Sequence, residues 1–494
     1  MDAQGDAAAA IEHVVIVGGG TAGWMAAAAA ARFLNDGRRR ITLVESNAIG
    51  TVGVGEATIP PILTFNRRLG IDEAEFLRET GGTFKLGIEF VGWRDGEDRY
   101  FHPFGTHGRP IEGLAFHQIW LKFRDAAGMG RLDDYSLPTL AAAAGRFAHP
   151  VADERSPLSG LAYAYHFDAG RYAALLRRHA EAGGVHRIEG RITRVERDPS
   201  GSAVAAVVLS DGRRVAGDLF IDCSGFRSLL LGDAMETPFE SWAHWLPCDR
   251  AIAVPGGALR PRPLATRATA HDAGWRWRIP LQHRTGNGIV YASAFLSDDA
   301  AERQLIDALD TSAMGEPRPL RFTAGRRVQQ WTGNVVALGL AGGFLEPLES
   351  TSIHLIQEGI SKLFALFPDR GDCSVERVTF NRFMAASYEA VRDFIILHYH
   401  ANARTGEFWR HLREMPVPDT LAEKIALFRR KGRVFRYDDE LFAVPSWVSV
   451  MLGQGIVPVG YDPLVDALDE RRTTDALVMM RQVNEAAVAQ MRVA

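Results

Sequence analysis

The feature that most constrains this chain lies near its start, where a glycine-rich turn follows a short apolar run. Residues 14–17 read Val-Val-Ile-Val, and an alanine-rich run extends from Ala26 to Ala31. Between them, Gly18, Gly20 and Gly23 fall on the spacing G-x-G-x-x-G. This order predicts a buried strand, a tight turn and a helix. The glycines stand where a pyrophosphate approaches the backbone and where the helix packs closely on the strand.

The turn and the start of the helix predict a dinucleotide site. Free N–H groups and the positive end of a helix dipole attract phosphate, which adds Thr21 and Ala22 to the three glycines as predicted contacts. The next predicted strand, Ile41–Val44, ends at Glu45, where an acid accepts hydrogen bonds from an adenosine ribose. The alternative is a glycine turn that serves packing alone, because this spacing by itself is a weak signal.

The composition is that of an ordinary globular protein. The 494 residues are enough for a large core and two structural regions. The net charge is −4, so no basic surplus favours nucleic acid, and no apolar run is long enough to span a bilayer. Three cysteines without a C-x-x-C pair, and a start without a signal-peptide pattern, predict a cytoplasmic location and no metal site.

The middle of the chain predicts how the nucleotide-binding region is interrupted. Alternating apolar residues from Arg187 to Asp222 indicate a β-meander, which closes in a second glycine turn at residues 222–225. We therefore predict an α/β, Rossmann-like fold with a β-sheet insertion. The nucleotide-binding region is expected to be discontinuous over residues 10–370.

Two stretches of the chain favour helices. Residues 62–78 have the apolar spacing of a helix that is interrupted at Gly70. From Cys373 onwards the pattern is mostly helical. We assign residues 371–494 to a helical C-terminal region on the substrate side.

Several residues stand out because their surroundings are apolar or aromatic. Lys85 would become a hydrogen-bond donor with a tunable pKa if buried, whereas a solvated lysine on an edge strand is the plainer alternative. The loop Gly53–Pro60 suits backbone close to a flat ring or a surface turn. The aromatic cluster Tyr100–Gly105 fits either a flat ligand site or the core. Trp275 and Trp277 share one face of a predicted strand, and a pair of core or interface tryptophans is the plain alternative.

A second strand, turn and helix predict an anion site. Val335–Leu338 is a buried apolar strand that leads into a glycine turn, and residues 353–367 favour a helix. Ser350, Thr351 or Ser352 is placed to cap that helix. The free N–H groups at its start suit an anion as small as a halide.

Together these segments resemble a flavin-dependent halogenase of the tryptophan halogenase family, over nearly the full chain. The shared segments, in family order, are GGGTAGW at Gly18–Trp24, the loop Gly53–Pro60, Lys85, the hexapeptide W-x-W-x-I-P at Trp275–Pro280 and the segment Pro347–Thr351. The hexapeptide is the most specific of them, because ordinary flavin monooxygenases lack it. The resemblance implies an FAD-binding fold of the flavin monooxygenase type. It implies further FAD contacts at Gly55, Glu56, Ala57, Gly339 and Leu348.

The resemblance also implies the chemistry. Reduced FAD, molecular oxygen and chloride or bromide give hypohalous acid, which passes through a tunnel to an electron-rich aromatic substrate such as an indole. Lys85 would hold the hypohalous acid by hydrogen bonding or carry it as a haloamine. Glu349 would orient it and take the ring proton, and the neighbouring Glu346 is the less favoured acid. The remaining implied roles are halide binding at Thr351 and Ser352, a wall between flavin and substrate at Trp275 and Trp277, and substrate contacts at His102 and Phe104.

Two departures from the family pattern bear on the substrate. Tryptophan-specific members carry a glycine where this chain has Ser352. They also carry a late Tyr-Tyr, Glu and Phe-Trp set that does not map onto residues 435–447. We therefore expect an indole, another electron-rich arene, or a peptide-bound or carrier-bound group rather than free tryptophan.

The expected partners follow from the cofactor. The chain lacks a second complete glycine fingerprint for a nicotinamide cofactor, so reduced FAD is expected from a separate flavin reductase. A homodimer is left open. Two other function classes compete with the halogenase. A single-component flavin hydroxylase would consume NAD(P)H without a partner protein and would insert oxygen without halide. The tryptophan hexapeptide argues against this class. A non-catalytic flavin-binding or redox-sensing protein would not depend on Lys85.

Overall fold

The computed structural model describes residues 9–49, 56–126, 128–437 and 439–493, and over them the fold is α/β. The N-terminal motif is organised by a six-stranded sheet. Its strands, in spatial order, are Trp331–Thr332, Val335–Ala337, Leu219–Asp222, His13–Val17, Arg40–Glu45 and His186–Glu189. All neighbours are parallel except the first pair. His13–Val17 is buried along its whole length, which explains its continuous apolar run. The predicted α/β class is confirmed.

The predicted β-meander is right in its middle and wrong at its ends. Three strands form an antiparallel sheet of their own: Ile192–Arg197, Val204–Leu209 and Arg214–Ala216. The flanking strands His186–Glu189 and Leu219–Asp222 join the parallel sheet instead. Leu219–Asp222 is buried throughout and pairs with residues 14–17, a long-range partner that local alternation cannot indicate.

A seven-stranded mixed sheet carries the tryptophan hexapeptide. Its strands, in spatial order, are Arg318–Arg321, Arg250–Gly256, Thr285–Tyr291, Gly274–Pro280, Ala265–His271, Gly87–Val91 and Arg99–Pro103. The central strand Gly274–Pro280 places Trp275 and Trp277 on one face, because side chains alternate along a strand. The smaller sheets are formed by Glu56–Ala57, Ala164–Phe167 and Thr83–Lys85, by Phe239–Ser241, Gly325–Arg327 and Gly343–Phe344, and by Arg146–Phe147 with Arg492–Val493.

The helices surround these sheets. In chain order, the α-helices of the described ranges are Thr21–Phe33, Pro61–Leu69, Glu73–Thr80, Phe116–Phe123, Leu137–Ala143, Ala169–Ala182, Asp298–Asp307, Ser352–Ala365, Ser374–His400, Glu407–Glu414, Asp419–Lys431, Val444–Gly453 and Glu470–Gln490. The predicted interruption at Gly70 is confirmed. This residue caps Pro61–Leu69 in the left-handed conformation, with φ of 79°.

The C-terminal region is mostly helical, as predicted. Its longest helix, Ser374–His400, is completely buried over the run Phe394–Tyr399. The apolar residues of this run belong to the same hydrophobic core as the first helix and as Val14 and Ile16 of the first strand. In the part of the chain that the structure describes, no helix is long and apolar enough to cross a membrane.

Candidate active site

The first three glycines of the turn differ in how much space surrounds them. A Cβ on Gly18, whose φ is 109°, would lie 2.2 Å from the carbonyl oxygen of Cys223. A Cβ on Gly19 would lie 1.4 Å from Glu45 Oε2. By contrast, no atom of the described residues lies within 4 Å of the Cβ position of Gly20. The first two glycines therefore serve packing, and the third leaves open space in front of the helix that follows.

A cavity of about 410 Å³ begins at this turn. The predicted cofactor residues on its wall are Gly18, Gly20, Thr21, Ala22, Glu45, Glu56, Ala57 and Gly339. Two others lie away from it. A Cβ on Gly23 would lie 1.8 Å from the Gly18 carbonyl oxygen, so this position serves helix packing, and Leu348 is buried with 1% of its surface exposed. Gly55 lies outside the described residues.

The same wall includes residues that the sequence analysis did not assign to the cofactor. The second glycine turn contributes Cys223, Ser224 and Gly225, and its position directly after a buried strand was the signal that could have identified it. Glu45 Oε1 accepts a hydrogen bond from Arg187 Nε at 2.5 Å, which orients the carboxylate at the end of its strand.

These features fit the FAD that the resemblance implies. In the described chain no side chain caps the helix Thr21–Phe33, so its start is available to a phosphate group. Gly20 leaves the space that a pyrophosphate needs, and the cavity continues between Trp275, Trp277 and the segment around Gly339. A long ligand with a charged middle and a flat aromatic end matches this wall.

The two tryptophans of the hexapeptide line this cavity and are held in different ways. Trp275 and Trp277 are 1% and 6% exposed, and their ring centroids are 6.1 Å apart. The indole nitrogen of Trp275 donates to Glu346 Oε2 at 2.8 Å. Trp277 instead packs on Gly288, where a Cβ would lie 2.0 Å from the indole ring.

Lys85 is completely buried, so the interpretation as a solvated lysine is wrong. It does lie on an edge strand of a three-stranded sheet, but its side chain is completely enclosed there. Lys85 Nζ donates to the carbonyl oxygen of Thr58 at 2.9 Å and to Ser350 Oγ at 2.8 Å. Burial lowers its pKa to about 7, although the nearby Glu349 carboxylate opposes the shift. The amine can therefore change charge near neutral pH.

Glu349 lies beside Ser350, the residue that binds Lys85. The carboxylate is 1% exposed and lies between two imidazoles. His102 Nδ1 donates to its Oε2 at 2.9 Å, and His398 Nε2 is 2.9 Å from its Oε1 without the alignment of a hydrogen bond. Burial alone would raise the pKa of Glu349, but the imidazoles of His102 and His398 lower it below its ordinary value.

His398 was missed by the sequence analysis. It is completely buried, on the helix Ser374–His400, and lies 49 positions from its partner in the sequence. The only signal was a polar residue within the apolar run from Phe394 to Tyr399. A folded structure is needed to bring this imidazole to the carboxylate, because local periodicity carries no information on long-range partners.

The residues predicted to bind halide lie at the start of the helix Ser352–Ala365. Thr351 is 1% exposed and precedes the helix, and Ser352 lines the cavity. The predicted side-chain cap is wrong, since within the described residues no side chain caps this helix. The hydroxyl of Ser350 binds Lys85 instead, and Ser350 adopts the left-handed conformation with φ of 60°.

An aromatic shell lies next to the two imidazoles. The rings of Phe394 and Phe442 are stacked at 3.7 Å, and Trp447 meets Phe394 edge-on at 4.8 Å. The ring centroid of His102 is 5.7 Å from that of Phe394. Phe104, the other predicted substrate residue, lies 5.1 Å from Lys85 Nζ by its ring centroid. The late aromatic segment thus contributes Phe442 and Trp447 to the same cluster.

Comparison with known proteins points to one family. A family model described as tryptophan halogenase matches residues 13–470. Tryptophan 6-halogenase SttH of Streptomyces toxytricini is 36% identical over 461 residues, which cover 87% of each chain. Tryptophan 7-halogenase RebH of Lentzea aerocolonigenes is 36% identical over 421 residues, which cover 80% of this chain and 77% of that one.

Solved structures agree with this result. Xcc4156, a flavin-dependent halogenase from Xanthomonas campestris, is 49% identical with a TM-score of 0.94, over 98% of this chain and 97% of that chain. BrvH, a flavin-dependent halogenase from Brevundimonas sp. BAL3, is 47% identical with the same TM-score and the same coverage.

Proposed function

Because this chain belongs to the tryptophan halogenase family and is a flavin-dependent halogenase that uses FAD, halide and oxygen, we propose that Lys85 and Glu349 form its catalytic pair. Enzymes of this class receive reduced flavin from a separate flavin reductase. The proposed reaction halogenates an electron-rich arene: the ring carbon bonds to the halogen of hypohalous acid, the oxygen–halogen bond breaks, and the ring loses a proton, with water as the other product.

The flavin side of this proposal rests on the cavity wall. Gly18, Gly20, Thr21 and Ala22 would hold the pyrophosphate, and Glu45 would bind the ribose. When bound, reduced FAD supplies with oxygen the oxidising power that converts halide to hypohalous acid. We assign residues 10–370 to this side, and Tyr388 of the C-terminal region also lines its wall. Residues 371–494 complete the substrate side, since they contribute His398, Phe394 and Phe442 to the cluster around Glu349.

Lys85 is proposed to hold the electrophile on its way to the arene. Its contact with Ser350 connects it to the flavin side, because Ser350 also lines the cavity. Two hydrogen bonds and the ring of Phe104 fix the amine in one position. A positioned amine gives selectivity to a reagent that is indiscriminate when free.

Glu349 is proposed to take the proton that leaves the ring. A general base needs a fixed carboxylate, and His102 and His398 hold this one from two sides. Its charge also stabilises the cationic ring that precedes proton loss. Backbone N–H groups at Thr351 and Ser352 are proposed to bind the halide, and Trp275 and Trp277 are proposed to separate flavin from substrate.

The proposed substrate is an indole or a similar electron-rich arene. Phe104 and the imidazole of His102 lie beside the catalytic pair, and a stacked aromatic pair lies next to His102. These surfaces suit a flat ring. The relatives SttH and RebH are named for tryptophan, and this proposal extends the arene, though not the amino acid group, to this chain. A homodimer and a cytoplasmic location belong to the same proposal.

The observation that carries this proposal is that Ser350 lines the flavin cavity and accepts a hydrogen bond from the buried Lys85. The test supplies FAD, a generic flavin reductase, NADH and either bromide or chloride. It offers indoles, phenols and tryptophan, and reads the products by mass spectrometry. We expect a halogen isotope pattern on at least one indole. Hydroxylated product that does not depend on halide would contradict the proposal.

The choice between the two buried acids is tested in the same assay. Glu349→Gln should lower the rate of arene halogenation by roughly a hundredfold or more, on the usual scale for a lost general base. Glu346→Gln should keep most of the rate. If Glu346→Gln were the damaging change, the assignment of the base to Glu349 would be wrong.

A further inference from the structure

The segment Glu346–Glu349 carries two buried acids, and the proposed function uses only the second. Glu346 is completely buried and Glu349 is 1% exposed. Their partners differ, since Glu349 lies between imidazoles whereas Glu346 binds an indole and a phenol. A completely buried carboxylate is costly to keep, so these partners indicate a specific role.

The contacts of Glu346 converge on one oxygen. Its Oε2 accepts from Trp275 Nε1 at 2.8 Å and from the hydroxyl of Tyr399 at 2.6 Å. Its Oε1 is buried without a hydrogen-bond partner among the described residues. Burial raises the pKa of Glu346 to about 7, and the two donors only partly offset this effect. Glutamine could accept the same two hydrogen bonds through its amide oxygen.

Trp275 depends on this acceptor more than its neighbour in the wall does. The indole N–H is the only polar group of its side chain, and it binds an acid that lies outside the cavity wall. Trp277 has no hydrogen-bond acceptor within the described ranges and is held by close contact with Gly288. The rotation of the Trp275 ring is therefore fixed by a hydrogen bond, whereas that of Trp277 is fixed by packing.

The second donor connects the wall to the catalytic acid. Tyr399 follows His398 on the helix Ser374–His400, and His398 contacts Glu349. Glu346 thus ties the flavin wall at Trp275 to the helix turn that supports the proposed base. Both ends of this connection are completely buried or nearly so.

From these contacts we infer that Glu346 is a positioning residue that holds the Trp275 indole in the wall between the flavin cavity and the Lys85–Glu349 cluster. Its role is to keep hypohalous acid on the path to the arene. This inference rests on the proposed function of that cluster. Loss of the acceptor at Glu346 should let the electrophile escape, whereas its formation should continue.

The test compares Glu346→Leu, which removes the acceptor, with Glu346→Gln, which keeps one. Each protein receives reduced FAD from a generic reductase together with bromide, an indole and a diffusible halogen acceptor such as monochlorodimedone. The measured quantity is the ratio of brominated trap to brominated indole. We expect at least a tenfold higher ratio for Glu346→Leu, and a ratio within about twofold of the parent for Glu346→Gln.

Glu240→Leu is the matched control, because Glu240 Oε1 accepts from the indole nitrogen of Trp242 at 3.1 Å, away from the cavity wall. Its ratio should equal that of the parent. An unchanged ratio in Glu346→Leu would overturn the inference. If the parent protein gave brominated trap but no brominated product from any arene, that result would instead contradict the proposed role of Lys85 and Glu349.

A second measurement keeps the inference testable if Glu346→Leu does not fold. Tyr399→Phe removes one donor and leaves the indole of Trp275 as the hydrogen-bond partner of Glu346 among the described residues, so its product ratio should stay near that of the parent. The Trp275 N–H signal in protein labelled with ¹⁵N at the indole should keep its hydrogen-bonded position in Glu346→Gln. Loss of that position in Glu346→Gln, with an unchanged product ratio, would show that the hydrogen bond does not control escape.

Discussion

Glu349 Oε1 and His398 Nε2 lie 2.9 Å apart at a point where both side chains are almost completely buried. His398 Nδ1 is 2.8 Å from the carbonyl oxygen of Phe394. A carbonyl oxygen can only accept, so Nδ1 carries a proton. The other ring nitrogen, Nε2, therefore faces the carboxylate, although the two atoms lack the alignment of a hydrogen bond. The imidazole of His398 thus packs against the proposed base and helps to fix its position.

Replacement of His398 tests this relationship. His398→Phe should lower the rate of arene halogenation by about tenfold or more, because Glu349 loses an imidazole that fixes the position of its carboxylate. Hypohalous acid, measured with a diffusible trap, should form at the parent rate. His179→Phe is the control, since it removes an imidazole 3.2 Å from Glu75 in a partly exposed pair. Equal rates in both variants would contradict the role of His398.

Lys85 predicts how the reaction depends on pH. The neutral amine has two hydrogens, and both are used by Thr58 and Ser350, so its lone pair is free to meet the halogen. Because burial lowers the pKa of Lys85 to about 7, the neutral fraction rises as the pH increases through that value. The ratio of brominated indole to total hypobromous acid should rise about tenfold between pH 6 and pH 8. A fall over the same interval would show that the ammonium form is the active one.

The burial of Lys85 also predicts that this residue lowers the free energy of unfolding at neutral pH. Its pKa lies below the ordinary value of 10.5, so the charged amine destabilises the fold fully below pH 7, and this cost vanishes above pH 10.5. The shift corresponds to about 5 kcal/mol, against about 2 kcal/mol for the two hydrogen bonds that the amine makes. Lys85→Met should therefore have a melting temperature at pH 7 no lower than that of the parent. It should be inactive, because the amine proposed to hold the electrophile is gone.

A second buried lysine provides the control for stability. Lys424 Nζ donates to Glu440 Oε1 at 2.8 Å, so Lys424→Met leaves a carboxylate without its partner. The free energy of unfolding of this variant should be about 3 kcal/mol lower than that of the parent, and its melting temperature should be clearly lower. A larger loss of stability in Lys85→Met than in Lys424→Met would indicate that Lys85 is mainly structural.

Phe442 predicts which arenes are accepted. Its ring stacks on that of Phe394 at 3.7 Å. In the sequence it lies in the segment that connects the helices Asp419–Lys431 and Val444–Gly453. Removal of its ring should expose the face of Phe394 to a substrate ring. Phe442→Ala should raise kcat/KM several-fold for bulky indoles relative to indole itself, measured by competition in one reaction. Phe435→Ala, in the same segment but 54% exposed, should leave that preference unchanged, and an equal effect of both variants would contradict the assignment.

The parts of the fold that the sequence predicts well are those in which a short segment determines its own structure. The strand, turn and helix around Gly18 and Gly20 follow from local apolar runs and from positions that admit no side chain. The end of a helix at Gly70 follows in the same way. Alternation between 187 and 222 indicated strands but not their sheets, because pairing depends on residues far away in the chain.

The candidate site was harder to predict than its motifs. Lys85 looks like a residue of an exposed edge strand until Thr58 and Ser350 close around it. His398 is marked in the sequence only as a polar residue within an apolar run, and its contact with Glu349 exists only after the long C-terminal helix has packed. The family resemblance identified the motif residues. The buried partners that shift their pKa values and fix their positions could be identified only from the folded structure.

The catalytic role of Lys85 is tested most directly by arene halogenation in Lys85→Ala, measured by mass spectrometry in protein whose FAD affinity has been determined. Lys85 lies outside the cavity wall, so FAD should bind with the affinity of the parent. No halogenated indole is expected from this variant, while Lys362→Ala, which removes a lysine from the helix Ser352–Ala365, should match the parent. Turnover of Lys85→Ala at the parent rate would contradict the proposed catalytic role of Lys85.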